Sequence, residues 1–184
     1  LHTATALGDG LVMVASGFSR GSVAVGAEVY DPTTEEWSRA GLMQRVTAGH
    51  TATLLGDGKV LLAGGFGRPD LTTKSEVYDP STETWVSAGR MRDGRMMHTT
   101  TLLNDGRALA VGGADAGGMV ATAELFSPST GTWTPAGSMA RARTMHTATR
   151  LIDGRVLVVG GDGTTSIEIY DPVSGRWFSS GQQE

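Results

Sequence analysis

The sequence predicts an all-β chain assembled from four-stranded antiparallel sheets, one per repeat, and three features carry that prediction. The first is a period. HTATLLGDGKVLLAGG at 50–65 returns as HTTTLLNDGRALAVGG at 98–113 and HTATRLIDGRVLVVGG at 146–161, after a worn copy, HTATALGDGLVMVASG, at 2–17. His2, His50, His98 and His146 are spaced by 48 residues, Trp37, Trp85 and Trp133 keep that spacing, and Trp177 follows 44 residues later. The second is composition: 27 glycines among 184 residues and a charged fraction of 18% suit short strands and tight turns better than helices. The third is a segment apolar at every position, VLLA at 60–63 and VLVV at 156–159. A strand of that kind is buried on both faces, as when four-stranded sheets stack around an axis.

The repeats run over approximately 1–48, 49–96, 97–144 and 145–184, together one unit. In the second, the four strands are HTATLL, KVLLAGG, SEVYDP and TWVSAG. Between the first two, Asp57-Gly58, Asp105-Gly106 and Asp153-Gly154 supply the positive-φ pair of a two-residue hairpin turn. The Gly64-Gly65 doublet ends the second strand, where the missing Cβ atoms permit close backbone approach; Ser16 replaces its first glycine in repeat one. The connection that follows varies in length, from 13 residues between Gly65 and Tyr78 to 9 between Gly161 and Tyr170, which marks it as a loop. Asp-Pro with a following Ser or Thr turns the third strand into the fourth, proline presetting φ. Glu35 and Glu83 occupy the position that Gly131 and Gly175 fill in that turn, so either it needs no positive φ or the first two repeats carry strain.

Gly64, Gly65, Glu76, Tyr78, Asp79, Pro80 and Trp85 recur as Gly112, Gly113, Glu124, Phe126, Pro128 and Trp133, and again as Gly160, Gly161, Glu168, Tyr170, Asp171, Pro172 and Trp177. In this order and at this period the set resembles the kelch family of β-propellers, across essentially the whole chain. The resemblance implies that the HTAT strand lies innermost, where blades converge and only small side chains fit. It also places the tryptophan on the outer strand, covering the widening gap between blades. Kelch rings usually hold six or seven blades of roughly 50–60° each, so four would sweep about 200–240° and leave an apolar face at either end. A second copy of the chain completing an eight-bladed ring, or truncation from a longer parent, is therefore expected over a closed four-bladed monomer. The start at Leu1, inside a repeat and without an initiator methionine, reads as an excised or engineered piece.

Several functions are excluded or disfavoured. The absence of cysteine removes disulfides, thiolate metal sites, cysteine nucleophiles and the crosslinked tyrosine that copper radical oxidases with kelch blades require. A formal net charge of −4 argues against nucleic acid as a partner, and no apolar run is long enough to span a membrane. GGADAGG at 112–118 is followed by a strand rather than a helix, so it offers phosphate no helix N-terminus. SPSTGTW at 127–133 echoes a sialidase Asp-box but lacks the aspartate.

The remaining candidates lie on the rims. His50, His98 and His146, with His2, fall one per blade near one mouth of the axis; they form either a metal-binding ring or, the plainer reading, bonds to a neighbouring carbonyl. Arg39, Arg45, Arg90, Arg92, Arg95, Arg141 and Arg143 sit in the inter-blade connections against one acid, Asp93, on the face that Arg20, Arg68 and Lys74 share. The opposite face collects Asp9, Asp31, Glu35, Glu36, Asp57, Asp79, Glu83, Asp105, Asp153 and Asp171. A basic face suits acidic peptides or anionic glycans, through Arg45, Arg68, Arg92, Arg95, Arg141 and Arg143. Arg95 and Arg143, three residues before a histidine, read rather as structural links between blades. Glu28, Glu76, Glu124 and Glu168 recur too regularly for catalysis and read as structural carboxylates. The expectation is a non-catalytic, cofactor-free kelch-type scaffold that binds a protein or glycan through its loops and associates with itself through its end blades. A fragment of a sugar-acting kelch enzyme, epimerase or oxidase, and an engineered fragment without ligand are the alternatives.

Overall fold

The computed structural model describes residues 1–19, 22–23, 26–44, 47–67, 71–161, 163 and 165–182, and every regular element among them is a strand. The first sheet joins β1 (Thr3–Ala6), β2 (Val12–Ala15), β5 (Ala27–Asp31) and β6 (Glu36–Arg39), with β3 (Phe18–Ser19) and β4 (Ser22–Val23) forming a hairpin beside it. The second joins β7 (Thr51–Leu54), β8 (Val60–Ala63), β9 (Lys74–Asp79) and β10 (Thr84–Arg90). In the third, β11 (Thr99–Leu102), β12 (Ala108–Val111), β15 (Thr122–Ser127) and β16 (Thr132–Ser138) are accompanied by the short hairpin β13 (Ala114–Asp115) and β14 (Gly118–Met119). The fourth is β17 (Thr147–Arg150), β18 (Val156–Val159), β19 (Ser166–Asp171) and β20 (Arg176–Gln182). All four are antiparallel, in chain order, and in one register: Val12, Val60, Ala108 and Val156 stand opposite Tyr30, Tyr78, Phe126 and Tyr170.

The sheets stack as propeller blades. Contact runs along the innermost strands, β1 to β7, β7 to β11 and β11 to β17, which puts the Thr-Ala-Thr words at the axis. Three apolar layers fill the junctions. Met13, Ala15 and Val29 of the first blade meet Val60, Leu62, Tyr78 and Trp85 of the second. Leu61, Ala63 and Val77 meet Ala108, Ala110 and Phe126 at the second junction, and Leu109, Val111 and Leu125 meet Val156, Val158 and Tyr170 at the third. Each blade thus presents a leading face to its predecessor and a trailing face to its successor. The continuous apolar pattern is fully used only in the middle, where every residue of β8 and β12 is buried. In β2 and β18 alternate residues are only half-buried, because one face of each end blade has no neighbour.

The tryptophans seal the outer gaps, as their area suggests. The Trp85 indole N–H donates to the Ala40 carbonyl (2.6 Å), Trp133 to the Ser75 hydroxyl (2.7 Å) and Trp177 to the Ala136 carbonyl (2.9 Å), in each case one blade back. Each also leans on its own blade's aromatic, with ring centroids 5.0–5.2 Å apart.

Two turns refine the expectations. The first hairpins are not two-residue turns with both residues at positive φ. The Gly58 N–H donates to the Leu55 carbonyl and the Leu55 N–H to the Lys59 carbonyl, which is a three-residue loop whose last residue alone, Gly58 at φ 83°, is left-handed. Asp57 instead accepts from the Lys59 N–H through its side chain. In the outer turns the left-handed position is required: Gly131 and Gly175 have φ of 65° and 69°, and Glu35 and Glu83 adopt 61° and 53° in their place. The first two blades therefore carry the strain of a side chain there, about 1–2 kcal/mol each.

Candidate functional site

The repeated polar residues converge on the blade junctions. His50 Nδ1 lies 3.1 Å from the Thr47 carbonyl, which can only accept, and Nε2 lies 2.9 Å from the Thr3 hydroxyl of the preceding blade; burial keeps the ring neutral, so Nδ1–H donates and Nε2 accepts. His98 Nε2 lies 3.2 Å from the Thr51 hydroxyl and His146 Nε2 2.9 Å from that of Thr99, but their Nδ1 atoms are buried with no hydrogen-bond partner among the described residues. Across the junction each histidine meets a neighbour's hydroxyl, and for His50 the Ala15 backbone of the preceding blade adds the carbonyl bond expected from sequence. Burial is the main force holding these imidazoles neutral, pushing His50 and His146 down to about 4 and His98 to about 3, with Arg95 adding to the effect on His98 and Arg143 on His146. Nothing at the axis gathers them for a metal. Among the described residues no three His, Cys, Asp or Glu side chains converge on one point.

Arg95 and Arg143 are wholly buried and belong to the scaffold rather than to a ligand surface. The Arg95 guanidinium reaches the Gly112 and Thr122 carbonyls at 3.0 and 2.8 Å and Glu124 Oε1 at 2.8 Å, all on the third blade. Its own carbonyl accepts from the Gly65 N–H of the second blade at 2.8 Å, so one residue stitches two blades. Arg143 repeats the pattern, with Glu168 Oε1 at 2.8 Å and the Gly113 N–H on its carbonyl. The glutamates also fasten the incoming connection, Glu124 Oε2 accepting from the Arg92 N–H (2.7 Å) and Glu168 Oε2 from the Ala140 N–H (2.6 Å). These are the structural carboxylates that regular recurrence implied.

The first junction is built differently. Thr47 stands where Arg95 and Arg143 stand, and Ser16 where Gly64 and Gly112 stand. A Cβ on Gly64 would lie 2.5 Å from the Arg95 carbonyl oxygen, and one on Gly112 would lie 2.7 Å from that of Arg143. Ser16 carries such a Cβ at φ 46°, and the Thr47 carbonyl is given to His50 Nδ1 instead. Glu76 still accepts from the connection, at the Gln44 N–H (3.1 Å).

The expected opposition of a basic and an acidic face is corrected on the acidic side. Lys59 pairs with Asp79 at 3.1 Å, Arg107 with Asp105 at 2.6 Å and Arg155 with Asp153 at 2.7 Å, so that face is mixed in sign. Of the predicted ligand-binding arginines, Arg45 and Arg68 lie outside the described residues. Arg92 and Arg141 are exposed, and neither guanidinium has a partner among the described residues.

Arg92 borders a groove of about 590 Å³ on the loop face between the second and third blades. Three segments form it. Phe66, Leu71 and Thr73 come from the loop after β8, with Phe66 and Leu71 bridged to each other; Arg92, Asp93 and Met96 come from the connection; Asp115 comes from the β13–β14 hairpin. The same Glu124 bonds that fasten the connection fix the backbone at Arg92 and Asp93. Asp115 is spent on its own turn, accepting from the Gly117 N–H at 2.7 Å. Aromatic and aliphatic side chains lining one groove with a guanidinium that has no partner among the described residues can stack a ring and hold an anion. The sequence reading found Arg92 but missed Phe66, Leu71 and Met96. Leu71 and Met96 break the repeat beside the variable loop, whereas Phe66 repeats Phe18 of the first blade.

Residues 47–92 match the Kelch motif family. No curated protein matches the chain. Among solved structures, the chain superposes on that of YjhT with a TM-score of 0.78 and 16% identity, over 98% of this chain and 65% of the other. At that identity the likeness is one of fold.

Proposed function

We propose, from the premise that this is a kelch-repeat protein folded as propeller blades, that it is a non-catalytic binding scaffold. It recognises an acidic peptide or anionic glycan in the loop-face groove between the second and third blades. The observation that carries this reading is the division of labour among its polar residues. Those that recur, the buried glutamates, histidines and Arg95 and Arg143, are consumed in holding blades together. In the groove Leu71, Arg92 and Met96 do not recur, although Phe66 repeats Phe18, and the Arg92 guanidinium has no partner among the described residues. Phe66 would stack against a sugar ring or peptide side chain while Arg92 holds a carboxylate or sulfate, a pairing of apolar floor and charged rim common in selective sites.

The test is titration calorimetry with a set of uronate and sulfated oligosaccharides, their neutral counterparts, and a polyglutamate peptide. Binding of an anionic member that weakens about tenfold or more in Arg92→Ala, as expected for loss of a charge-assisted bond, and also weakens in Phe66→Ala, supports the reading. Binding indifferent to both substitutions, or no binding by any member, refutes it.

A further inference from the structure

The groove between the second and third blades holds two negative charges that the repeat does not supply. Asp93 stands where the other connections carry Arg45 and Arg141, a reversal of sign at this junction alone. Asp115, two residues past its glycine doublet, stands where Gly67 and Gly163 stand. Both line the groove together with Arg92. Neither carboxylate is consumed by the scaffold. Asp93 is tied to Glu124 through its backbone N–H at 3.4 Å, and its side chain has no partner among the described residues. Asp115 accepts from the Gly117 N–H with Oδ1 at 2.7 Å, and its Oδ2 has no partner among them. Both aspartates are half-buried whereas Arg92 is exposed, so the groove is negative where it is more enclosed and positive at its rim. A carboxylate drawn part-way out of water without a counter-ion favours a cation brought by a ligand.

The backbone that carries these charges is fixed by reciprocal pairing. Phe66 and Ala48 exchange N–H bonds at 2.7 and 2.9 Å, and Met96 and Ala114 do the same at 3.0 and 2.9 Å. The second pair sets Asp115, the next residue along the β13–β14 hairpin, beside the connection that carries Arg92 and Asp93. Both signs of charge therefore stand on backbone that is in place before a ligand arrives, which keeps the ordering cost of binding low.

We infer that the ligand of this groove is a zwitterionic oligosaccharide, one that combines a carboxylate with a free amine. Its carboxylate pairs with the Arg92 guanidinium, its ammonium group with Asp93 and Asp115, and a sugar ring packs on Phe66. A saccharide fits better than a peptide because the ring hydroxyls that flank a sugar amine donate to the remaining carboxylate oxygens, a density of donors that a lysine side chain lacks. The inference rests on the binding reading above and narrows its ligand from purely anionic to mixed in charge.

The experiment is titration calorimetry at about pH 6.5, where an aliphatic amine is charged. The probes are one oligosaccharide of alternating glucuronate and glucosamine in its free-amine, N-acetylated and N-sulfated forms. All carry the same carboxylates and differ only at nitrogen, which is positive, neutral and negative in turn. The expected order of affinity is amine, then acetyl, then sulfo, with the amine form about tenfold or more tighter than the acetyl form, as for a charge-assisted bond. In a chain carrying both Asp93→Asn and Asp115→Asn, which keeps an acceptor for the Gly117 N–H, that preference should fall to about twofold or less while the acetyl form binds no worse. Binding that depends on Arg92 but ignores the state of the nitrogen would overturn this inference and leave the binding reading standing. Binding of no form would overturn both. Tighter binding of the N-sulfated form, or of an alternating Lys-Glu peptide, would overturn the assignment to a zwitterionic saccharide.

Discussion

Acidification from pH 7 to pH 5 should destabilise this protein through three buried histidines. His50, His98 and His146 are neutral in the folded chain, with values near 4, 3 and 4 against the ordinary 6.5. The unfolded chain therefore takes up protons first as pH falls below about 6.5, so stability is complete above that value and declines until the folded rings titrate. Between pH 7 and pH 5 each such histidine contributes a loss of about 2 kcal/mol, a large share of the about 5–15 kcal/mol that holds a typical domain together. The carboxylates do not mask this. Asp79 and Asp153 are held below 3.8 by the Ser81 hydroxyl and the Arg155 guanidinium, so their stabilisation persists until the pH falls through those lowered values. Urea unfolding at pH 7, 6 and 5 reads the slope, and NMR titration of the imidazole carbons assigns it. His98→Gln should remove about one third of the pH dependence. A stability independent of pH across that window, or a folded-state His98 that titrates near its ordinary value, would refute the argument.

Two further outcomes follow from the backbone. Gly112→Ala places a Cβ 2.7 Å from the Arg143 carbonyl and 2.9 Å from His146 at φ 58°, whereas Gly160→Ala meets open space at φ 71°. Thermal unfolding should show the first costing about 2–5 kcal/mol and the second about 1 kcal/mol, from left-handed strain with and without a clash. Equal effects would mean that the third junction does not close on Gly112. Glu83→Gly should stabilise by about 0.5–1 kcal/mol in chemical denaturation, the relief of left-handed strain exceeding the added chain entropy; destabilisation would show that the Glu83 side chain makes a compensating contact.

The repeat made most of the architecture legible because one packing problem is solved four times. The glycine doublets, the tryptophans and the small residues of the HTAT words each had a geometric reason before any coordinates. The first hairpin did not, because Asp-Gly serves both a two-residue loop and a three-residue loop ending in a left-handed glycine, and only the pairing of Leu54 with Val60 decides between them. The Thr3–His50 bond spans 47 residues and depends on how closely blades converge, which a one-dimensional pattern does not give. The exchange of Ser16 and Thr47 for glycine and arginine was visible as two separate departures. Their link emerges only when the Gly64 and Arg95 backbones are seen to touch. The groove was least legible: three separate segments of the sequence supply its walls, and of its apolar residues Leu71 and Met96 do not follow the period.

Every seam in this molecule is sewn from the later blade backwards, by an indole, an imidazole and a carboxylate that arrive after the surface they close. During synthesis, then, each newly emerged blade finishes the one already made, and growth proceeds as a ratchet with nearest-neighbour cooperativity rather than by collapse of the whole. Damage should spread no further than one seam in either direction.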